Sequence, residues 1–263
     1  MSMFACLQRP PVTSIGRLRT SKVLPNVCLG AQSLQVVTLV FPDPDWSSLN
    51  QNALSHAFHE VNSSISYSFQ TSSSLDIRTL STDDVSGGDK VPGLLYVPSL
   101  APDDPCVNAS EPYVPNNVTR QADLPDADYN LIAIAPWISA SCTQSYLASA
   151  RQAPVRGFLF FLAGDNGTET PPEPVSPVWS LNDGGSWKRQ NHWPVYALPG
   201  LYGQQLMQAS ALYSGDMTQS PYAQNLTDRY DPRDYVRLYV NIDTGEGVLY
   251  YTRKREEAVL INP

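Results

Sequence analysis

The chain has 263 residues, a formal net charge of −8, 16% charged residues, and 23 prolines against 15 glycines. This acidic balance argues against binding to nucleic acid and against adsorption to anionic membrane surfaces, because both are negatively charged. The length is sufficient for one substantial hydrophobic core, but it does not separate one domain from two.

The amino-terminal segment, residues 1–32, contains four basic side chains and three prolines but no apolar run of signal-peptide length. We expect this segment to be poorly ordered. An apolar run at residues 34–41 then predicts the first strand. Its predicted core residues are Val36, Val37, Leu39 and Val40.

A polar region follows, in which residues 53–61 are consistent with a helix that contains His56 and His59. A metal site would need more ligands than these histidines and His192 offer, so we interpret them as ordinary surface residues and expect no metal. Short strands are predicted around Ile65, Tyr67 and Phe69, and around Leu75, Ile77 and Leu80. A stronger strand is predicted at residues 91–97, and residues 101–128 form a proline- and asparagine-rich loop that we expect to face solvent.

The centre of the chain has the pattern strand, helix, strand. The apolar run at residues 131–135 predicts a buried strand that Pro136 ends, and apolar residues at a four-residue spacing predict a helix over residues 142–150. The candidate caps of that helix are Ser139 and Ser141. A second apolar run, residues 157–162, predicts a strand parallel to the first, since units of this size form right-handed crossovers.

The same pattern returns as a strand at residues 194–198 and a helix at residues 199–213. The predicted packing face of this helix is Tyr202, Leu206 and Met207. Alternation predicts a last, half-buried strand at residues 234–242. One of its faces carries Val236, Leu238, Val240 and Ile242, and the other carries Tyr235, Arg237, Tyr239 and Asn241. The predicted fold class is therefore mixed α/β.

Several segments around this apolar unit match a known family in fixed order. They are residues 93–98 (GLLYVP), 103–106 (DDPC), 183–188 (DGGSWK), 191–196 (NHWPVY) and 231–239 (DPRDYVRLY). The order LIAIAPW, a Cys-led helix, RGFLFFL and HWPVYALPGLYGQQL resembles a protease-associated (PA) domain. The segments given above narrow the resemblance to the luminal PA domain of fungal membrane-anchored RING-type ubiquitin ligases. The resemblance covers roughly residues 91–245, and several segments in order are harder to match by accident than one motif.

The resemblance implies a PA-like domain at residues 33–245, followed by a short tail at residues 246–263. The implied fold is a curled mixed β-sheet or open barrel, flanked by two or three helices and carrying long proline-rich loops. The implied role is non-catalytic recognition or sorting of protein or glycosylated cargo, without a cofactor. The implied location is the lumen of the Golgi, an endosome or a vacuole, or outside the cell.

Full-length members of that family continue into a transmembrane helix and a RING domain. This sequence has no apolar segment near the ~18 residues that a span requires and no Cys/His array that could form a RING. We therefore expect that this polypeptide does not itself transfer ubiquitin, and that membrane attachment depends on segments missing from the chain. The missing signal peptide leaves open whether the native start is as given and whether the chain enters the lumen.

Cysteines and sequons bear on the compartment. No C-x-x-C motif occurs, and we expect Cys6 and Cys28 to lie outside the fold. A disulfide between Cys106 and Cys142 would hold the central unit together, and two separate reduced thiols are the alternative. We expect glycosylation at five Asn-X-Ser/Thr sequons, although a polar sequence also contains such triplets by chance: Asn62, Asn108, Asn117, Asn166 and Asn225.

The long segment of residues 164–193 is the predicted ligand-binding region, because it contains three of the five tryptophans among polar side chains. The candidate ligand-binding residues are Trp179, Asp183, Trp187, Lys188, His192 and Trp193. The alternative is structural, with the indoles covering an edge of the sheet and packing on the prolines of residues 171–177.

Catalytic motifs give no competing site. Gly-x-Ser-x-Gly, a P-loop and a Rossmann glycine motif are all absent from the sequence. Aspartates spread through the loops leave a secreted hydrolase, or an accessory domain of one, as the alternative to a recognition domain. A cleft with two close carboxylates of perturbed pKa would favour the hydrolase.

Overall fold

A computed structural model of the chain describes residues 33–41, 59–62, 64, 67–70, 77–81, 90–124 and 130–243. Nine strands in this part of the chain form one mixed sheet: β1 (Ser33–Phe41), β2 (His59–Glu60), β3 (Ser68–Gln70), β4 (Arg78–Thr79), β5 (Lys90–Tyr96), β6 (Leu131–Trp137), β7 (Val155–Leu162), β8 (Val195–Leu198) and β9 (Tyr235–Asp243). The α-helices described are α1 (Cys106–Ser110), α2 (Ala140–Ala150), α3 (Gly200–Leu212) and α4 (Ala223–Thr227). Short 3-10 turns occur at Gln121–Asp123, Pro177–Trp179, Ser186–Arg189 and Met217–Gln219. The predicted mixed α/β class is confirmed.

The sheet combines a parallel and an antiparallel part. Its order is β2-β1-β9-β5-β6-β7-β8-β4, and β3 also pairs with β1. Strands β5 to β8 are parallel to one another, which confirms the parallel pairing predicted for the central unit. Strand β9 returns between β1 and β5 and is antiparallel to both. The carboxyl ends of β5 to β8 therefore share one edge, the place where open α/β sheets bind ligands.

Both faces of the sheet are covered. Alternation along β7 turns Phe160 to one face and Phe161 to the other. Trp137 packs on Phe160, with ring centroids 5.2 Å apart. Helix α3 lies on the opposite face, where a Cβ atom at Gly203 would be 2.1 Å from the Cβ of Phe161. Glycine at this position lets the helix approach the sheet closely.

The caps and the packing face of the helices follow the sequence pattern. Helix α2 begins after Ser139, whose hydroxyl accepts a hydrogen bond of 3.2 Å from the Cys142 N–H. Leu206 and Met207 of α3 are fully buried, whereas Tyr202 is half-buried and contacts Phe69 at a centroid distance of 5.5 Å.

The prediction that Pro136 ends its strand is wrong, because β6 continues to Trp137. The Trp137 carbonyl accepts from the Ala163 N–H on the β7 side, so alternation places the nitrogen of Pro136 on the β5 side. There β5 pairs with β6 only as far as Ala133. The missing N–H of the proline therefore removes no ladder hydrogen bond.

Two predictions near the amino terminus are also corrected. His59–Glu60 is a strand that pairs with β1, so the predicted helix is wrong at its end, and residues 53–58 lie outside the described part. In β1, Val37 and Leu39 are only half-buried, because alternation buries Leu34, Val36, Thr38 and Val40 instead. Other predictions that fall outside the described residues concern residues 1–32, His56, Ile65, Leu75 and the tail at 246–263.

The segment predicted as a solvent-facing loop at residues 101–128 is partly structured and partly buried. It contains α1, and its Val114 and Val118 lie in the hydrophobic core. The prediction failed because the apolar residues of this segment are few and have no helical or strand period.

Candidate functional site

The tryptophans of residues 164–193 are part of the core. Trp179 and Trp187 are each 1% exposed and Trp193 is 7% exposed. The rings of Trp179 and Trp187 lie 5.0 and 5.5 Å from the ring of Trp137, and the Trp179 Nε1–H donates to the carbonyl of Pro172 at 3.0 Å. The structure thus shows packing, as the alternative expected, with the indoles in contact with Trp137 and the Pro172 backbone; they cover a face of the sheet and not its edge.

The polar residues of the same segment support its backbone. Asp183 accepts hydrogen bonds from the Gly185 and Trp187 N–H groups at 2.9 and 2.7 Å. Desolvation raises the pKa of Asp183, but these bonds and one from the Ser186 hydroxyl outweigh it and hold the pKa below its ordinary value. Lys188 donates to the carbonyl of Pro174, and His192 is exposed. None of these side chains lines either of the two clefts described next.

A disulfide fixes the segment that follows β5. Cys106 and Cys142 are bonded, with a Cα–Cα distance of 5.3 Å and a sequence separation of 36, so the predicted bridge is confirmed. It joins α1 to α2. After α1 the chain turns back towards the sheet, and the Thr119 carbonyl accepts a hydrogen bond of 2.9 Å from the Val97 N–H. Residues 97–124 therefore return to the end of β5. The segment is thereby held at the carboxyl edge of the parallel strands.

A first cleft of about 470 Å³ opens between this segment and α2. Its polar lining includes Ser110, Glu111, Arg120 and Tyr146, and its apolar lining includes Leu100, Val107 and Val114. The Tyr146 hydroxyl donates to the Ser110 hydroxyl at 2.9 Å, which donates to the Cys106 carbonyl at 2.6 Å. Burial raises the pKa of Tyr146, although the Ser110 bond and Arg120 act in the opposite direction. The hydroxyl chain therefore presents neutral oxygens.

A second cleft of about 580 Å³ lies on the other side of the same segment, against the end of α3. Asn116 and Arg120 line both clefts. Two carboxylates line the second cleft, and both accept hydrogen bonds from the backbone. Asp123 accepts from the Arg120 N–H at 2.7 Å, and Asp216 accepts from the Thr218 N–H at 2.7 Å. These capping roles account for both carboxylates.

Arg120 is the charged residue that lines both clefts. Its Nη1 atom donates hydrogen bonds to the carbonyls of Val97 and Pro98, at 3.3 and 2.8 Å. These two bonds fix the guanidinium at the end of β5. Its Nε and Nη2 groups have no hydrogen-bond partner among the described residues. Burial lowers the pKa of Arg120, and Tyr146 and Asp123 oppose that change. An arginine remains protonated at neutral pH, so the clefts share a fixed cation with donors to spare.

A second arginine lies behind the second cleft and corrects a prediction. Arg237 was expected on the exposed face of its strand, yet it is only 4% exposed. It donates from Nη2 to the carbonyl of Asp123 at 3.3 Å and lies 5.2 Å from the Tyr235 ring. Burial lowers the pKa of Arg237 to about 10, partly offset by Asp123 and Tyr235. It supports Asp123, and thereby the wall of the cleft.

The sequence patterns did not indicate this site, because no motif recognised in the segment includes Arg120. A signal was nevertheless present, since Arg120 is the only Lys or Arg between residues 91 and 150. A lone cation in such a long stretch, next to a predicted disulfide, is a candidate for a specific role. The sequence alone did not show that residues 97–124 would fold back on the end of β5.

The sequon asparagines are all on the surface. Each of Asn62, Asn108, Asn117, Asn166 and Asn225 is exposed, as glycosylation requires.

Comparison with known proteins gives no assignment: no family model matches the chain, and no curated protein matches it either. Among the helices of the described residues, none combines the length and apolarity needed to span a bilayer. In the same part of the chain, no three His, Cys, Asp or Glu side chains are grouped so as to hold a metal ion.

Proposed function

We propose that the chain is a non-catalytic recognition domain of the protease-associated type, which binds protein or glycosylated cargo in an oxidising lumen. The observation that carries the proposal is the pair of adjoining clefts that share Arg120 at the carboxyl edge of the parallel strands. Each cleft has the volume of a small-ligand site, and its mainly polar lining is interrupted by a few apolar side chains.

The rigidity of the clefts supports binding. The disulfide, the hydroxyl chain of Tyr146 and Ser110, and the carbonyl contacts of Arg120 all fix the lining before a ligand arrives. A preorganised site loses less side-chain entropy on binding than a mobile one. This arrangement suits the recognition of an extended segment of another protein.

The compartment is inferred from chemistry. A disulfide persists in oxidising compartments and is rare in the cytosol. The bond between Cys106 and Cys142, together with five exposed sequons, therefore supports a luminal or extracellular location. The resemblance to the luminal domain of membrane-anchored ubiquitin ligases supports a role in selecting proteins for sorting or turnover, with attachment and ubiquitin transfer supplied by other segments.

The hydrolase alternative has less support. The second cleft does contain two carboxylates, Asp123 and Asp216, but each has a capping hydrogen bond that explains its presence. We therefore place both residues in the binding surface rather than in a reaction.

The proposal is tested by selecting peptides from a random phage-displayed library on the oxidised chain. We expect a set of related peptides whose binding is lost in Arg120→Gln. Arg156→Gln is the matched control, because Arg156 is an exposed arginine of β7 that lines neither cleft. Peptides that bind Arg120→Gln as well as they bind the unmodified chain, or a selection without related peptides, would contradict the proposal.

A further inference from the structure

Two of the five sequons lie at the clefts, and they differ in one respect. Asn108 lines the first cleft and Asn117 lines the second. The Nδ2 of Asn117, the atom that would carry a glycan, donates to the Ala211 carbonyl at 3.0 Å and so satisfies the end of α3. The amide of Asn108 has no hydrogen-bond partner in the described part of the chain. Of these two sequon asparagines, Asn108 is thus the one whose side-chain nitrogen is not already engaged in a hydrogen bond.

The first cleft also has a lining that suits a sugar. Its volume of about 470 Å³ lies within the range of small-ligand pockets, ~300–1,000 Å³. N-acetylglucosamine, the first sugar of an N-glycan, has an apolar ring face, an acetamido methyl group and hydroxyls that donate and accept. Leu100 and Val114 match the apolar parts, and Glu111, Asn116 and Arg120 match the polar parts.

The mouth of the first cleft has apolar surface left uncovered. Val107, next to Asn108, is 40% exposed. A sugar attached to the neighbouring residue would cover it and remove that surface from water. Because the sugar is covalently attached, its local concentration at the cleft is high and even weak contacts suffice to seat it.

We propose that the first N-acetylglucosamine of a glycan on Asn108 rests in the first cleft and covers Arg120 from that side. The second cleft is then the side from which a ligand reaches Arg120, and occupancy of this one sequon decides whether the first cleft is open. This inference rests on the luminal location in the proposed function, since the glycan is added only there.

The test uses the full chain secreted from yeast behind an added leader. The occupancy of Asn108 is measured by mass spectrometry. The rate at which phenylglyoxal modifies Arg120 is then compared in three samples: the glycosylated chain, the same chain trimmed by endoglycosidase H to a single N-acetylglucosamine, and Asn108→Gln. The exposed Arg156 reports the general reactivity in each sample. Asn225→Gln is the matched control, since Asn225 is an exposed helical sequon that lines neither cleft.

We expect slow modification of Arg120 in the glycosylated and the trimmed chain, and a several-fold faster rate in Asn108→Gln only. Thermal unfolding gives a second readout, with a loss of about 2–4 °C in Asn108→Gln, as for a modest loss of stability in a domain of this size. An unoccupied Asn108, or an Arg120 rate that is equal in all samples, would overturn the inference. In either of those cases the peptide selection still decides the proposed function, because it needs Arg120 and no glycan.

Discussion

The disulfide allows the sharpest test of how the candidate site is held together. Replacing both half-cystines, Cys106→Ala with Cys142→Ala, removes the bridge and leaves no buried thiol or hydroxyl without a partner. Both residues are almost fully buried, at 3% and 4% exposure, so the substitution acts inside the fold and not at its surface.

The magnitude follows from the length of chain that the bridge closes. A sequence separation of 36 corresponds to about 4 kcal/mol in the chain-entropy account of disulfide stabilisation. With a urea dependence of about 2–3 kcal/mol per molar, the unfolding midpoint should fall by about 1.3–2 M. Tryptophan fluorescence reports the transition, because Trp137, Trp179 and Trp187 lie together in the core.

The matched control is Cys6→Ala with Cys28→Ala, the pair that we expect to lie outside the fold, and its midpoint should not change. The loss of the bridge should also reduce peptide binding, because α1 lines the first cleft through Ser110. Coincident urea transitions for the bridge variant and the unmodified chain would refute the reasoning, since they would show that the bridge does not constrain the segment around the clefts.

Three further predictions concern the packing, the hydroxyl chain and the response to alkaline pH. Gly203→Ala should lower the free energy of unfolding by about 1–3 kcal/mol, because the new methyl group would overlap Phe161; an unchanged melting temperature would count against the close contact of α3. Tyr146→Phe should cost about 1 kcal/mol by removing the bond to Ser110, as measured by urea unfolding; no loss would show that this bond contributes nothing. Burial raises the pKa of Tyr67 to about 12. The stabilising effect of the neutral Tyr67 side chain is therefore complete below pH 10 and is lost as the pH rises towards 12. Tyr67→Phe should flatten the fall in unfolding free energy over that window, and an unchanged slope would contradict this.

The central elements were predictable because their sequence pattern matches their final environment. Strands β6 and β7 are buried on both faces and therefore have continuously apolar sequences. Such runs can be identified as strands without knowing which strands they pair with. The cap of α2 at Ser139 was also a local feature, whereas the bridge between Cys106 and Cys142 spans 36 residues and was predicted from the positions of the two cysteines before and after the central strand. The alternating pattern of β9 predicted an exposed Arg237, and this was wrong. The alkyl stem of Arg237 and its carbonyl partners allow this charged residue to be buried.

The candidate site was not predictable, because it depends on contacts between segments distant in sequence. Arg120 acquires its place from the carbonyls of Val97 and Pro98, more than twenty residues earlier in the chain. The tryptophans of residues 164–193 were predicted as candidate ligand contacts, with packing as the alternative, and the structure places them in the core. Aromatic residues among polar ones are typical of binding surfaces and of packed loops alike, and only the three-dimensional arrangement separates the two.

Hydrogen–deuterium exchange with a peptide from the phage selection tests the central claim most directly. Bound peptide should slow exchange in residues 97–124 and 211–219, which line the two clefts, and should leave residues 171–193 unchanged. Protection confined to residues 171–193 would contradict the account, because it would place recognition on the tryptophan segment and not on the clefts around Arg120.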